Sequence, residues 1–242
     1  MTGSDHVLGE STLHPLEWHV RHVVETGSTN ADLLAEVDLG APDRTVLRTD
    51  HQTAGRGRLD RTWDAPPGSN LLMSVLFRQV PAEPGELTRR VGLAAIAAVA
   101  DVAGISAELK WPNDVLTGGR KLAGILAQRS VSGPVVVGIG LNVGWAPEGA
   151  ACLGADVQPQ DVATALLRAY DALPANIDAT YRQHLGTIGQ RVRVQQTTGA
   201  LEGRALDVGR DGHLVLLDDC GITHRVDVGD VVHLRPADES DQ

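Results

Sequence analysis

Two glycines and two arginines in strict alternation, Gly55-Arg56-Gly57-Arg58, form the segment of this sequence best suited to holding an anion. Glycine lets backbone N–H groups come close to a ligand oxygen, and each guanidinium adds charge and a forked pair of donors, so the chemistry on offer is phosphate or carboxylate binding. A solvated basic loop accounts for the same four residues. They are neither a Walker loop, since no Gly-Lys-Ser/Thr follows, nor a dinucleotide fingerprint, since no GxGxxG opens a helix.

Lysine gives a second signal. The chain has 19 Arg and only two Lys, Lys110 and Lys121, which lie 11 positions apart. A compact ammonium does what a planar guanidinium cannot imitate, so a chain otherwise free of lysine points to chemistry at both positions, although drift toward arginine on solvated faces leaves the same composition. Lys110 opens Lys110-Trp111-Pro112-Asn113-Asp114, which sets an ammonium, a rigid X-Pro turn and a carboxylate at a strand end. An Asx-capped turn explains Pro-Asn-Asp equally well. Lys121 leads into the apolar run Leu122-Ala123-Gly124-Ile125-Leu126, either as a site residue or as an exposed edge-strand lysine. Gly138-Ile139-Gly140-Leu141-Asn142 closes another apolar run with small residues and an amide, a pattern of close backbone or ligand approach or of simple crowding. The nine histidines show no HExxH-like spacing, and no structural metal is expected.

Positioning these groups requires a scaffold, which periodicity outlines. An alternating segment at 18–24 predicts a strand, and Gly27-Ser28-Thr29-Asn30 then offers capping residues to a helix at 31–37. A short strand at 45–49 precedes the Gly-Arg loop, and the turn at 65–69 leads to an apolar strand at 71–77. The alanine-rich stretch 86–103 predicts a core helix closed by Gly104. Strands follow at 107–110, 122–129 and 135–142, separated by 111–114 and 118–119, and helices at 160–173 and 176–185. After Gly189 short alternating segments at 191–195, 203–208, 213–217, 223–228 and 231–234 predict a small all-β unit.

The 242 residues, 42% of them hydrophobic, suffice for one large folding unit and one small one. No apolar run of membrane-spanning length and no signal peptide is present, and Cys152 and Cys220 fall in different units, so a reduced cytoplasmic protein is expected. A net charge of −10 argues against holding duplex nucleic acid through the overall field.

Taken in order, the segments 27–30, 52–63, 110–114, 121–126 and 138–142 resemble the successive motifs of the biotin–protein ligase family, over residues 18–236. KWPND followed within a dozen residues by RKLAGIL is the most specific pair. The resemblance implies an α+β fold, a mixed sheet backed by helices of the class II synthetase-like type at 17–187, then an SH3-like β-barrel at 188–236, with disordered tails at 1–16 and 237–242. With so short a first tail, it implies the form lacking an N-terminal DNA-binding domain. It implies an enzyme that activates biotin with MgATP as biotinyl-5′-AMP and transfers it to a lysine of the biotin carboxyl carrier domain of an acyl-CoA carboxylase, with neither DNA nor membrane as partner. A lipoate–protein ligase-like acyltransferase is the nearest alternative.

Roles follow from the same resemblance. Lys121 is the catalytic lysine between carboxylate and α-phosphate, and Arg58, with Arg56 and Arg61, holds the adenylate's phosphate. Ser28, Thr29, Asn30 and Gln52 bind biotin's ring, and Gly55, Arg56, Lys121 and Gly124 meet it nearer the carboxyl end. Trp63 covers adenine, where an ordinary core aromatic is the alternative, and Asn142 bonds the adenine edge. Lys110 and Asn113 face the polyphosphate, and Asp114 reaches Mg²⁺ through the nucleotide. Asp60 stands where many relatives carry glycine, within the anion loop.

Overall fold

The computed structural model describes residues 17–59, 61–196, 199–227 and 229–233. The expectations for the tails 1–16 and 237–242, for Asp60, and for the strand ends at Val228 and Leu234 lie outside the described residues.

Seven strands make one mixed sheet in the order β1-β2-β3-β7-β6-β5-β4. The strands β1 (His19–Thr26) and β2 (Thr45–Gln52) run parallel and are joined through helix α1 (Thr29–Val37). The remaining pairings are antiparallel and involve β3 (Leu71–Phe77), β4 (Glu108–Lys110), β5 (Asp114–Thr117), β6 (Arg120–Arg129) and β7 (Val135–Leu141).

Side-chain alternation sorts this sheet into two faces. Val46, Met73, Val75, Val137 and Ile139 share a core with Val91 and Ala98 of α2 (Gly85–Ala103) and Leu166 of α3 (Pro159–Asp171). Each fully buried Leu or Val there contributes about 2 kcal/mol. On the opposite face Leu47, Leu76 and Val136 meet Leu33 and Val37 of α1. Past the N-terminus of α1 that face carries Ser74, Gly138 and Gly140 in place of large apolar side chains, and it becomes the floor of a cleft. Gly104 closes α2 at φ 63°, as its position predicts.

Strand β5 is absent from the sequence reading, which placed breaks at 111–114 and 118–119 and assigned 115–117 to no element. Its four residues are too few to register as alternation, and Val115 and Leu116 are both buried. Gly118 and Gly119, at φ 54° and 72°, make the two-residue hairpin turn into β6 that demands positive φ twice.

After α4 (Asp178–His184) come β8 (Arg191–Gln196), β9 (Gly199–Val208), β10 (Leu214–Leu217), β11 (Thr223–Val226) and β12 (Asp230–His233). They form an antiparallel sheet in the order β11-β10-β9-β8-β12. Val192, Val194, Ala205, Leu214 and Leu216 join the same apolar core as α2 and α3. Polar ties reinforce the junction: Trp111 Nε1 donates to Gly212 O at 2.8 Å, and Arg182 Nη2 donates to Val208 O at 2.9 Å. Among the described residues no helix is long and apolar enough to cross a membrane.

Candidate active site

The glycine-floored cleft has a volume of about 470 Å³. One wall is the loop around Arg56 to Trp63, another is the segment Lys110 to Asp114, and Val231 and Val232 of β12 reach its rim. Of the residues predicted for the site, Ser28, Thr29, Asn30, Gln52, Arg56, Arg58, Arg61, Trp63, Lys110, Asn113, Asp114, Lys121, Gly124 and Asn142 all line it. Gly55 does not. It is buried beneath the loop, where a Cβ would stand 2.3 Å from the carbonyl oxygen of Trp63 and 2.9 Å from Gln52 Nε2. Its absent side chain lets the loop's two arms close on each other.

Lys121 reaches the cleft because β6 is irregular. Asp114 pairs with Gly124 and Val115 with Ala123, but Leu116 pairs with Lys121, so Leu122 is an extra residue on β6. In a regular strand Lys121 and Gly124, three apart, point to opposite faces; the bulge brings them to the same one. Lys121 Nζ consequently sits 2.7 Å from Asp114 Oδ1 and 5.7 Å from the centre of the Trp63 ring. That indole lies on the cross-strand pair Gly124 and Gly140: a Cβ on Gly140 would stand 2.3 Å from Trp63 Cε2, and one on Gly124 3.1 Å from Cζ3. Trp63 Nε1 is buried with no hydrogen-bond partner among the described residues, a donor that a ligand acceptor would satisfy.

The Gly-Arg loop is a tight hairpin. Gly57 N donates to Arg61 O at 2.7 Å and Trp63 N to Gly55 O at 3.0 Å, with Leu59 at φ 54° near the tip. Arg58 Nη1 extends 3.3 Å to Asn113 Oδ1 and 3.3 Å to Gly229 O, tying the loop to the Lys110–Asp114 strand hairpin and to the C-terminal sheet at once. Asn113 is itself strapped to β6, its Nδ2 donating to Ile125 O at 2.6 Å. Among the described residues that line the cleft, Arg56, Arg58, Arg61, Lys110 and Lys121 stand with two carboxylates, Asp64 and Asp114, so a chain of net charge −10 gathers positive charge here.

At the other end of the cleft the first turn of α1 enters a buried polar network. Ser28 is the N-cap, and Thr29 and Asn30 are 3% and 6% exposed. Thr29 N donates to Gln52 Oε1 at 2.8 Å, and Thr29 Oγ1 lies 3.0 Å from that oxygen and 2.7 Å from Ser74 Oγ. Ser74 Oγ donates to Asn30 Oδ1 at 2.6 Å, and Asn30 Nδ2 donates to Leu126 O at 3.1 Å and to Gln128 Oε1 at 2.8 Å. Sequence reading missed Ser74. The available signal was a single hydroxyl inside the apolar run LLMSVLF, because a buried hydroxyl needs partners.

Asn142 is 3% exposed and its amide is occupied: Nδ2 donates to Ala151 O at 3.0 Å, and Oδ1 receives Asn70 Nδ2 at 3.4 Å. It holds the 142–151 loop against the cleft. Asp114 is the carboxylate paired with Lys121, and among the described residues no cluster of three His, Cys, Asp or Glu side chains is built to cage a metal. That donor set suits a Mg²⁺ ion whose other ligands are phosphate oxygens and water.

The chain matches the Biotin/lipoate A/B protein ligase family over residues 27–144 and the Biotin protein ligase C terminal domain over 187–234. It is 44% identical over 237 residues to the biotin--[acetyl-CoA-carboxylase] ligase of Mycobacterium tuberculosis, covering 88% of each chain. It is 29% identical to the bifunctional ligase/repressor BirA of Bacillus subtilis, over 75% of this chain and 64% of that protein. Among solved structures, the biotin protein ligase from Aquifex aeolicus in complex with biotin and ATP superposes with a TM-score of 0.76 at 24% identity, over 90% of this chain and 99% of that one.

Proposed function

This chain belongs to the biotin protein ligase family, and from that premise we infer how its cleft performs ATP-dependent biotin ligation. The observation that carries the assignment of roles is the bulge-directed ammonium of Lys121, set on a glycine floor between the polar end of α1 and the Gly-Arg loop. Gly138, beside Asn30, and Gly140, beneath Trp63, are two residues apart on β7, so the ring-binding and reactive ends are separated by roughly 7 Å.

In the first step a biotin carboxylate oxygen attacks the α-phosphorus of ATP; the new P–O bond forms as the bond to the β-phosphate breaks and pyrophosphate leaves. Two anions must approach. Lys121 sits between them, offsetting their repulsion and the charge gathering in the transition state. Arg58, Arg56 and Arg61 hold the phosphate, and the loop excludes water from the mixed anhydride. In the second step a lysine amine of the acceptor attacks the acyl carbon, the C–O bond to AMP breaks, and the amine gives up a proton as AMP departs. Thr29, Asn30, Ser28 and Gln52 take the biotin ring, Gly124 leaves room beside Lys121, and Trp63 presents its indole to adenine. Lys110 and Asn113 serve the polyphosphate. Asp114 would share a Mg²⁺ ion that arrives with the nucleotide, the ion supplying further charge neutralisation. Asn142 acts on the adenine side by holding the 142–151 loop.

The acceptor we propose is the biotin carboxyl carrier domain of an acyl-CoA carboxylase in the cytoplasm, in keeping with the name of the Mycobacterium tuberculosis relative. We further assign residues 17–187 to catalysis and 188–236 to a second, SH3-like domain that closes the phosphate end. Incubating the protein with ATP, a carrier domain and either labelled biotin or labelled lipoate tests the reading. Transfer of biotin to one carrier lysine is expected; transfer of lipoate alone would overturn it.

A further inference from the structure

We propose that Ser74 is a specificity-determining positioning residue: by fixing the direction of a buried hydrogen-bond chain, it makes the ring end of the cleft accept a ligand only where that ligand offers an N–H. The inference rests on the biotin ligase reading and deepens it.

The chain's direction follows from counting hydrogens. Asn30 Nδ2 faces Leu126 O, which accepts and cannot donate, so the carboxamide has one permitted orientation and Asn30 Oδ1 must face Ser74. Oδ1 also only accepts. The single hydrogen of Ser74 therefore goes to Asn30, and Ser74 Oγ has nothing to give Thr29 across their 2.7 Å contact. Thr29 has one hydrogen for two oxygens, Ser74 Oγ at 2.7 Å and Gln52 Oε1 at 3.0 Å, and the shorter contact claims it. Thr29 Oγ1 then confronts Gln52 Oε1 at 3.0 Å with no hydrogen between them, and Gln52 cannot turn its amide over because Oε1 is receiving the N–H of Thr29.

Two oxygens held this close, each offering lone pairs, form an electrostatically uncomfortable pair that an approaching N–H relieves. A cyclic urea has such a group, and a dithiolane has none. An acceptor atom placed there adds a third set of lone pairs to the two already facing each other. Ser74 is 0% exposed and Thr29 3%, so only a group that enters the cleft, a water or the ligand's N–H, can reach the pair. The floor is matched to it as well: a Cβ on Gly138 would stand 2.3 Å from Asn30 Oδ1 and 3.2 Å from Ser74 Oγ, so a side chain there would break the chain at its middle. Without the Ser74 hydroxyl, the Thr29 hydrogen is free to swing to Gln52 Oε1, and the pair satisfies itself.

The experiment compares biotin with its two cyclic carbamate analogues, in which one or the other ring N–H is replaced by oxygen, as substrates for pyrophosphate release. Wild-type protein is expected to disfavour one analogue by on the order of 10- to 100-fold in kcat/KM, the cost of leaving buried acceptors unmatched. In Ser74→Ala that discrimination falls by roughly tenfold, through a raised KM for biotin with the KM for ATP unchanged. A Ser74→Ala protein that keeps the wild-type discrimination, or that loses activity equally on biotin and both carbamates, would overturn the proposal. Should the alanine variant fail to fold, Ser74→Cys, a weaker donor of similar size, must show intermediate discrimination, and a wild-type ratio there overturns the proposal equally. Wild-type protein that uses lipoate and ignores biotin would instead defeat the functional reading, a result distinct from either of these.

Discussion

The ammonium of Lys121 and the carboxylate of Asp114 form an ion pair of 2.7 Å across the β5–β6 hairpin, at the one place where that hairpin loses its regular register. The pair joins the two most specific motifs of the sequence into one structural unit.

Lys121 is 39% exposed in its side chain, so its removal should cost catalysis without costing the fold. Lys121→Ala is expected to lower the rate of biotinyl-adenylate formation by roughly 100- to 1000-fold, the range seen when one donor to a developing charge is removed. Circular dichroism should stay unchanged while pyrophosphate release collapses. Near-normal adenylation would remove Lys121 from the role assigned to it.

The glycine floor beneath Trp63 makes a ranked prediction. A methyl at Gly140 would intrude to 2.3 Å of the indole, one at Gly124 only to 3.1 Å. Gly140→Ala should therefore lift Trp63 from its seat and raise the KM for ATP by about tenfold, the equivalent of about 1.4 kcal/mol, whereas Gly124→Ala should have the milder effect. Tryptophan emission reports the displacement, and equal ATP kinetics in the two variants would show that the indole does not serve the nucleotide.

Acid should loosen the C-terminal sheet at an identifiable corner. At the β10–β11 turn, the hydrogen bond from His224 chiefly holds the Asp218 carboxyl below the usual carboxylate range, with help from the N–H groups of Ile222 and Cys220. A lowered folded-state value means that the stabilisation is present above the unfolded carboxylate value of about 3.9 and is lost as pH falls through the folded one. Thermal melts between neutral pH and about pH 3 should show a steeper acid loss for wild type than for Asp218→Asn. Parallel curves would mean that this carboxylate carries none of the acid sensitivity.

The motifs made most of the site legible in the sequence, because each is a run of contiguous residues whose chemistry is visible in their types. Patterning likewise located α1 and α2 through helical spacing, and β3 and β7 as apolar runs of seven residues. The bulge at Leu122 was not legible. Nothing in Arg120-Lys121-Leu122 distinguishes a regular strand from one carrying an extra residue, since the irregularity exists only relative to β5. Ser74 and Gly55 were hidden for a related reason. Their roles are set by partners at Asn30 and Trp63 that the fold brings together from distant positions.

Arg58 bonds to Gly229 O across the junction of the two sheets. Were a phosphate to draw this guanidinium off Gly229, reciprocity would bind the two events: it would loosen the C-terminal sheet by the same free energy that a firmly seated sheet withholds from the phosphate. The loop would in this sense be a balance arm, and the hold on a bound phosphate would be set partly by how tightly two sheets adhere to each other.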